Sequence, residues 1–287
     1  MPDHMFVSIN PATEQVVGQT AQFTSQQIEQ ALTGAEQQAR SWAGSSFTER
    51  TALLQAVAAQ LESRRDELAR LITTEMGKLL SESRAEIEKC AWLCRYYVEN
   101  AGEHLALRPV TTDASKSYAR YDPLGPVLAV MPWNYPFWQV FRFAIPALAA
   151  GNTTLLKHAP NVTGCALAIE GVFLEAGFPE GAFTTLLIGS GEVGRVIRDE
   201  TVRAVTLTGS TPAGRAVAAR AGQQLKKTVL ELGGSDPYVI LLDADLDGSP
   251  EVYLQFWEEN RFEHGGALVR MTDDGKVRWR RSYGKQL

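Results

Sequence analysis

Hydrophobic and polar positions change their rhythm three times along the chain. Residues 6–21 alternate over two short stretches and read as strand, turn, strand. Asn10-Pro11-Ala12-Thr13 is the turn, because Asn-Pro favours turn initiation and proline pre-sets φ. The spacing then becomes helical. Thr24 is a good N-cap ahead of Ile28, Ala31, Leu32 and Ala35, which share one face. A second helix starts at Ser46 or Thr48 and carries Leu53, Leu54, Val57 and Leu61. A third runs over about 65–76 and stops near Gly77. A fourth, about 81–102, carries Ile87, Trp92, Leu93, Tyr96, Tyr97 and Val98. These stripes are core-facing and carry no chemistry of their own.

Residues 104–122 alternate loosely around Pro109 and Thr111-Thr112-Asp113. They read as a projecting hairpin, with an oligomer contact and a plain surface excursion as its two meanings. From residue 126 apolar runs alternate with helical ones. Strands are expected at 126–131, 153–157, 183–188, 203–208, 227–231 and 238–242. Helices are expected at 138–149, 162–176, 192–198 and 212–222. This alternation predicts an α/β fold: a Rossmann-like open parallel sheet with flanking helices, preceded by an N-terminal helical segment. We assign residues 1–247 to this domain and 248–287 to a separate tail. In the tail, 252–257 is a short apolar segment, and 267–281 reads as a β-hairpin around Asp273-Asp274-Gly275.

Composition narrows the function. The sequence has 287 residues, 45% hydrophobic and 21% charged, as in an ordinary globular protein with a large core. A net charge of -5 argues against nucleic acid as the partner. Met1–Thr20 holds no basic region followed by an apolar run, and no stretch reaches the roughly 18 apolar residues of a membrane span. The expectation is a cytoplasmic protein with no membrane partner. Cys90, Cys94 and Cys165 do not make a disulfide framework. Cys90 and Cys94 have helical spacing and read as packing residues.

Candidate chemistry gathers at strand ends, where open α/β sheets place ligands. Gly189-x-Gly191-x-x-Gly194 matches the letters of a dinucleotide fingerprint, but no acid closes the next strand; Thr208 and Gly209 stand there. Gly209-Ser210-Thr211-Pro212-Ala213-Gly214 joins a strand to a helix. Glycine permits close approach, Pro212 suits a first turn, and a helix N-terminus beside a hydroxyl suits phosphate; a plain capped turn is the alternative. In Pro132-Trp133-Asn134-Tyr135-Pro136, two prolines fix an irregular path around an amide that can donate to a developing oxyanion. Glu231, ahead of Leu232-Gly233-Gly234, is placed either as a general base or as a carboxylate satisfied by the glycine amides.

Together, Pro132-Trp133-Asn134-Tyr135-Pro136, Leu207-Thr208-Gly209-Ser210-Thr211-x-x-Gly214 and Glu231-Leu232-Gly233-Gly234 resemble the aldehyde dehydrogenase superfamily, in family order over about residues 6–247. Lys157-His158-Ala159-Pro160-Asn161-Val162 and Glu231–Pro237 are most similar to its succinate-semialdehyde dehydrogenase branch. The resemblance implies Asn134 as the oxyanion amide and Glu231 as activator of the nucleophile or of water. It implies a cofactor cleft formed by Trp133, Asn134, Lys157, His158, Ala159, Pro160, Gly209, Ser210 and Leu232. Within it Lys157 meets the adenosine ribose, Gly209 and Ser210 the pyrophosphate, and Leu232 the nicotinamide. The implied cofactor is NAD or NADP: Pro160 stands where many NAD-preferring members carry a Glu, and no carboxylate there repels a 2′-phosphate. The implied substrate is a small-molecule aldehyde, succinate semialdehyde in this branch, and a homo-oligomer is left open.

The family works through a cysteine thiolate roughly 34 residues after the Glu. Here that place, near Gly265, reads Phe262-Glu263-His264-Gly265-Gly266-Ala267, and no cysteine follows Cys165. The expectation is therefore the cofactor-binding part alone, truncated before the catalytic cysteine and inactive as it stands. A non-catalytic nucleotide-binding remnant and a fusion scaffold with a partner-binding tail are the alternatives.

Overall fold

The computed structural model describes residues 5–234, 238–244, 250–257, 266–271 and 277–283. It divides into two compact units, Met1–Glu231 and Leu232–Leu287.

The first unit opens with the antiparallel pair β1 (Met5–Ile9) and β2 (Val16–Ala21). The Asn10 side chain closes the turn between them by accepting from Ala12 N at 2.9 Å. Four helices follow: α1 (Ser25–Ala43), α2 (Phe47–Ser63), α3 (Arg65–Met76) and α4 (Leu80–His104). Thr24 and Ser46 begin α1 and α2 with full capping boxes, in which Gln27 and Glu49 reach back to the cap amides. Gly77 ends α3 in the left-handed region at φ 79°. Residues 104–122 hold a minimal antiparallel pair, β3 (Arg108–Pro109) and β4 (Tyr118–Ala119), both exposed.

The βα units come next: β5 (Pro126–Val130), α5 (Trp138–Ala149), β6 (Thr153–Lys157), α6 (Thr163–Glu175), β7 (Phe183–Thr185), α7 (Ser190–Arg198), β8 (Ala204–Gly209), α8 (Thr211–Gln223) and β9 (Lys227–Leu232). The five strands form one sheet in the order β7-β6-β5-β8-β9, and β5 pairs in parallel with both β6 and β8. Successive strand residues point to opposite faces, so each strand feeds two cores. Ala129 and Leu156 pack with α2–α6, whereas their neighbours Leu128 and Leu155 pack with α1, α7 and α8. Cys90 and Cys94 lie buried in α4, within the first of these cores.

The expected strand 183–188 is regular only as far as Thr185. The expected strand at 238–242 does not extend the parallel set. It is β10 (Tyr238–Ala244), in a separate antiparallel sheet with β11 (Pro250–Trp257), β12 (Gly266–Met271) and β13 (Val277–Tyr283), order β10-β11-β12-β13. The reason is geometric: a parallel neighbour for β9 needs a crossover of about a dozen residues, and only 233–237 separate β9 from β10. The Asp273-Asp274-Gly275 turn lies outside the described residues. β9 is left as an edge strand, with Val229 62% and Leu232 38% exposed.

Candidate functional site

The sheet grows from β5 through β6 to β7, then resumes on the other side of β5 with β8. The connections after β5 and β8 therefore diverge, and open α/β sheets bind ligands in the crevice at such a point. The loop after β5 carries Trp133, Asn134 and Tyr135, all exposed; the connection after β8 carries Gly209 and exposed Ser210. Folding brings these two motifs to adjacent strand ends although they are far apart in the chain.

Buried groups fix the first loop. His158 Nε2 is 2.9 Å from Pro136 O, and His158 Nδ1 accepts from Ala159 N at 2.8 Å. An acceptor Nδ1 places the ring proton on Nε2, which donates to the carbonyl. Burial, the largest influence, holds this ring neutral and pushes its pKa down to about 4. Both ring nitrogens are thus engaged by backbone, so His158 acts on the cleft through the Pro136 segment. Lys157 ends β6; it is buried, and desolvation lowers its ammonium pKa. Ala159 is half-buried, and exposed Pro160 opens a single 3-10 turn, Pro160–Val162.

The helix N-termini at this edge of the sheet are not equivalent. Glu86 Oε1 accepts from Phe137 N and Trp138 N at 2.8 and 2.9 Å, at the start of α5. Glu75 accepts from Gly164 N and Cys165 N at 2.9 and 2.8 Å, at the start of α6. Glu192 lies in the first turn of α7. These positive helix ends already have carboxylates beside them. α8 is different: its cap is the neutral Ser210 Oγ, which accepts from Ala213 N at 3.4 Å, and no acid occupies its first turn. Among the described residues, a Cβ at Gly209 would meet Leu207 alone, at an ordinary 3.6 Å, so packing among them does not demand glycine there. Glycine leaves room for close approach to the backbone at this point. At Gly194 a Cβ would lie 2.7 Å from Arg220 Nε, the outer part of an exposed, flexible side chain that can move aside.

A cavity of about 440 Å³ opens between α5 and the β8–β9 face, lined by Met131, Phe143, Thr208, Val229, Arg142 and Glu231 among others. Glu231 is paired with Arg142 of α5 and is 46% exposed. Leu232 ends β9. Arg142 and Glu86 were not legible in the sequence as groups acting on the site, nor was Glu75 as the cap of α6. Each acts on a segment far along the chain, and no local spacing signals that.

Residues 2–255 match the model of the aldehyde dehydrogenase family. The chain belongs to the aldehyde dehydrogenase family. The match runs past residue 247, into β11. Among curated relatives, a Synechocystis protein named a probable succinate-semialdehyde dehydrogenase (NADP(+)) is 53% identical over 245 residues, 85% of this chain and 54% of the relative. The succinate-semialdehyde dehydrogenase (NADP(+)) 1 of Mycobacterium tuberculosis is 48% identical over 84% of this chain and 54% of its own length. Among solved structures, succinic semialdehyde dehydrogenase from Streptococcus pyogenes in complex with NADP+ superposes with a TM-score of 0.80 at 39% identity, covering 84% of this chain and 53% of that one. The chain spans about half the length of the aldehyde dehydrogenases it matches.

Proposed function

We propose that the first unit holds NADP, and that the protein to which it corresponds oxidises succinate semialdehyde to succinate. The observation that carries this reading is the β8–α8 junction: a helix N-terminus with a neutral cap, beside a glycine that packing among the described residues does not require. It fits a pyrophosphate, and it faces the switch point shared with Asn134. NADP is favoured over NAD because Pro160 puts no carboxylate against a 2′-phosphate and the cation Lys157 ends β6 three residues before it. The named relatives point the same way.

A nicotinamide held here would supply the hydride acceptor that oxidation of an aldehyde requires. The chain supplies position and charge. The Asn134 amide donates N–H to the oxygen on which negative charge develops. Glu231 accepts a proton from the nucleophile or from the water that releases the acid, through the carboxylate oxygen that Arg142 does not bind. The Arg142 guanidinium lies on the wall of the same cavity. It is a suitable partner for the distal carboxylate of a semialdehyde.

The nucleophile is the step these 287 residues do not supply. Cys90, Cys94 and Cys165 are all buried, and desolvation pushes each thiol above its ordinary value, away from the reactive thiolate. The test mixes the purified chain with NADP+ and succinate semialdehyde and follows absorbance of the reduced nicotinamide. The expected result is no reduction, together with NADP+ displacing bound NAD+ in competition. Steady formation of NADPH would overturn the assignment of the thiols, and equal affinity for the two nucleotides would overturn the cofactor preference.

A further inference from the structure

The loop carrying Trp133 and Asn134 is held from behind by a buried ion pair to which the reaction above gives no role. Lys78, just after Gly77, donates to Glu86 Oε2 at 2.5 Å, and the two side chains are 7% and 1% exposed. The same ammonium lies 3.4 Å from the centroid of the Tyr135 ring. The other oxygen of Glu86 accepts the amides of Phe137 and Trp138. One pair thus grips residues 135, 137 and 138, next to the segment whose Pro136 carbonyl His158 holds. Desolvation of two charges offsets much of their attraction, so such a pair is a poor stabiliser compared with apolar packing. What it supplies here is fixed geometry for a segment that two prolines keep out of regular structure. The neighbouring Glu75 is a natural comparison: it is similarly buried, and its hydrogen bonds go to the start of α6 and not to this loop.

We propose that Lys78 and Glu86 are positioning residues, fixing the backbone that presents Trp133 and Asn134 to the cleft. For its effect on nucleotide affinity, though not on the loop itself, the proposal rests on the NADP reading above. The test compares the full chain with Glu86→Gln, Lys78→Met and Glu75→Gln. Amide hydrogen exchange is read at residues 137 and 138, NADP+ affinity by calorimetry, and thermal stability alongside.

Glu86→Gln and Lys78→Met are expected to speed exchange at 137 and 138 about tenfold, and to weaken NADP+ by a similar factor. Glu75→Gln is expected to lower the melting temperature while leaving both readouts near those of the unaltered chain. Unchanged exchange at 137 and 138 in Glu86→Gln, with a loss of stability like that of Glu75→Gln, overturns the proposal. So does faster exchange with unchanged affinity in a chain that binds NADP+. Exchange needs no nucleotide: an unaltered chain that binds no NADP+ refutes the NADP reading, while exchange still decides what the pair does to the loop.

Discussion

His158 is the clearest case of a single residue whose state is set by its surroundings. Its ordinary pKa of 6.5 falls to about 4 in the fold, chiefly through burial. A group whose folded pKa is depressed contributes stability above its unfolded value and loses it as pH falls toward the folded one. The neutral ring therefore favours folding by about 3 kcal/mol near neutrality, an amount lost between pH 6.5 and about 4. His158→Gln keeps a donor for Pro136 and removes the titration. Urea unfolding at a series of pH values should give a difference between the two chains that shrinks through this window; a difference independent of pH would contradict the buried neutral ring. Ser210 gives a second expectation at this scale. Ser210→Ala removes the α8 cap at a cost of about 1 kcal/mol, read from the urea midpoint, and weakens NADP+ as well.

At the scale of elements, helix starts were legible wherever the signal is local. Thr24 and Ser46 cap the helices that their sequences announce, and Gly77 stops α3. The boundaries of α5 follow from the apolar run beginning at Trp138. Strand extent was less legible: β7 is regular for three residues, Leu186 still bonds to Leu156 of β6, and the chain then turns tightly with Ile188 N bonded to Leu186 O, although Leu186 and Ile188 remain apolar and buried. Pairing was least legible. The run at 238–244 has the composition of a buried parallel strand, and only the shortness of 233–237 forbids that place. Among turns, Gly181 carries the strictest demand. It has φ 83°, and a Cβ there would sit 2.8 Å from the backbone carbonyl of Gly34 in α1. Gly181→Ala should cost more than about 2 kcal/mol of unfolding free energy, measured in urea. A cost within error of zero would mean that the turn re-forms without this approach of backbone to backbone.

For the molecule as a whole, the family and the doubly wound sheet were legible because three motifs stand in fixed order at strand ends. What joins those motifs was not. Glu75 and Glu86 reach from the helical segment to the starts of α6 and α5, and Arg142 reaches from α5 to Glu231. Such contacts are created by the fold and have no spacing of their own. They leave α8 as the helix end at this edge with a neutral side-chain cap and no acid in its first turn, which is where the proposed pyrophosphate site lies. β9 keeps an exposed face beside the cavity, with Val229 62% exposed. The measurement that bears most directly on this account is a tryptophan-fluorescence titration of the 287-residue chain with NADP+, run beside Trp133→Phe. The account predicts a saturable change in the unaltered chain, carried largely by Trp133 and reduced in the variant. No saturable change, together with no heat of binding, would contradict it.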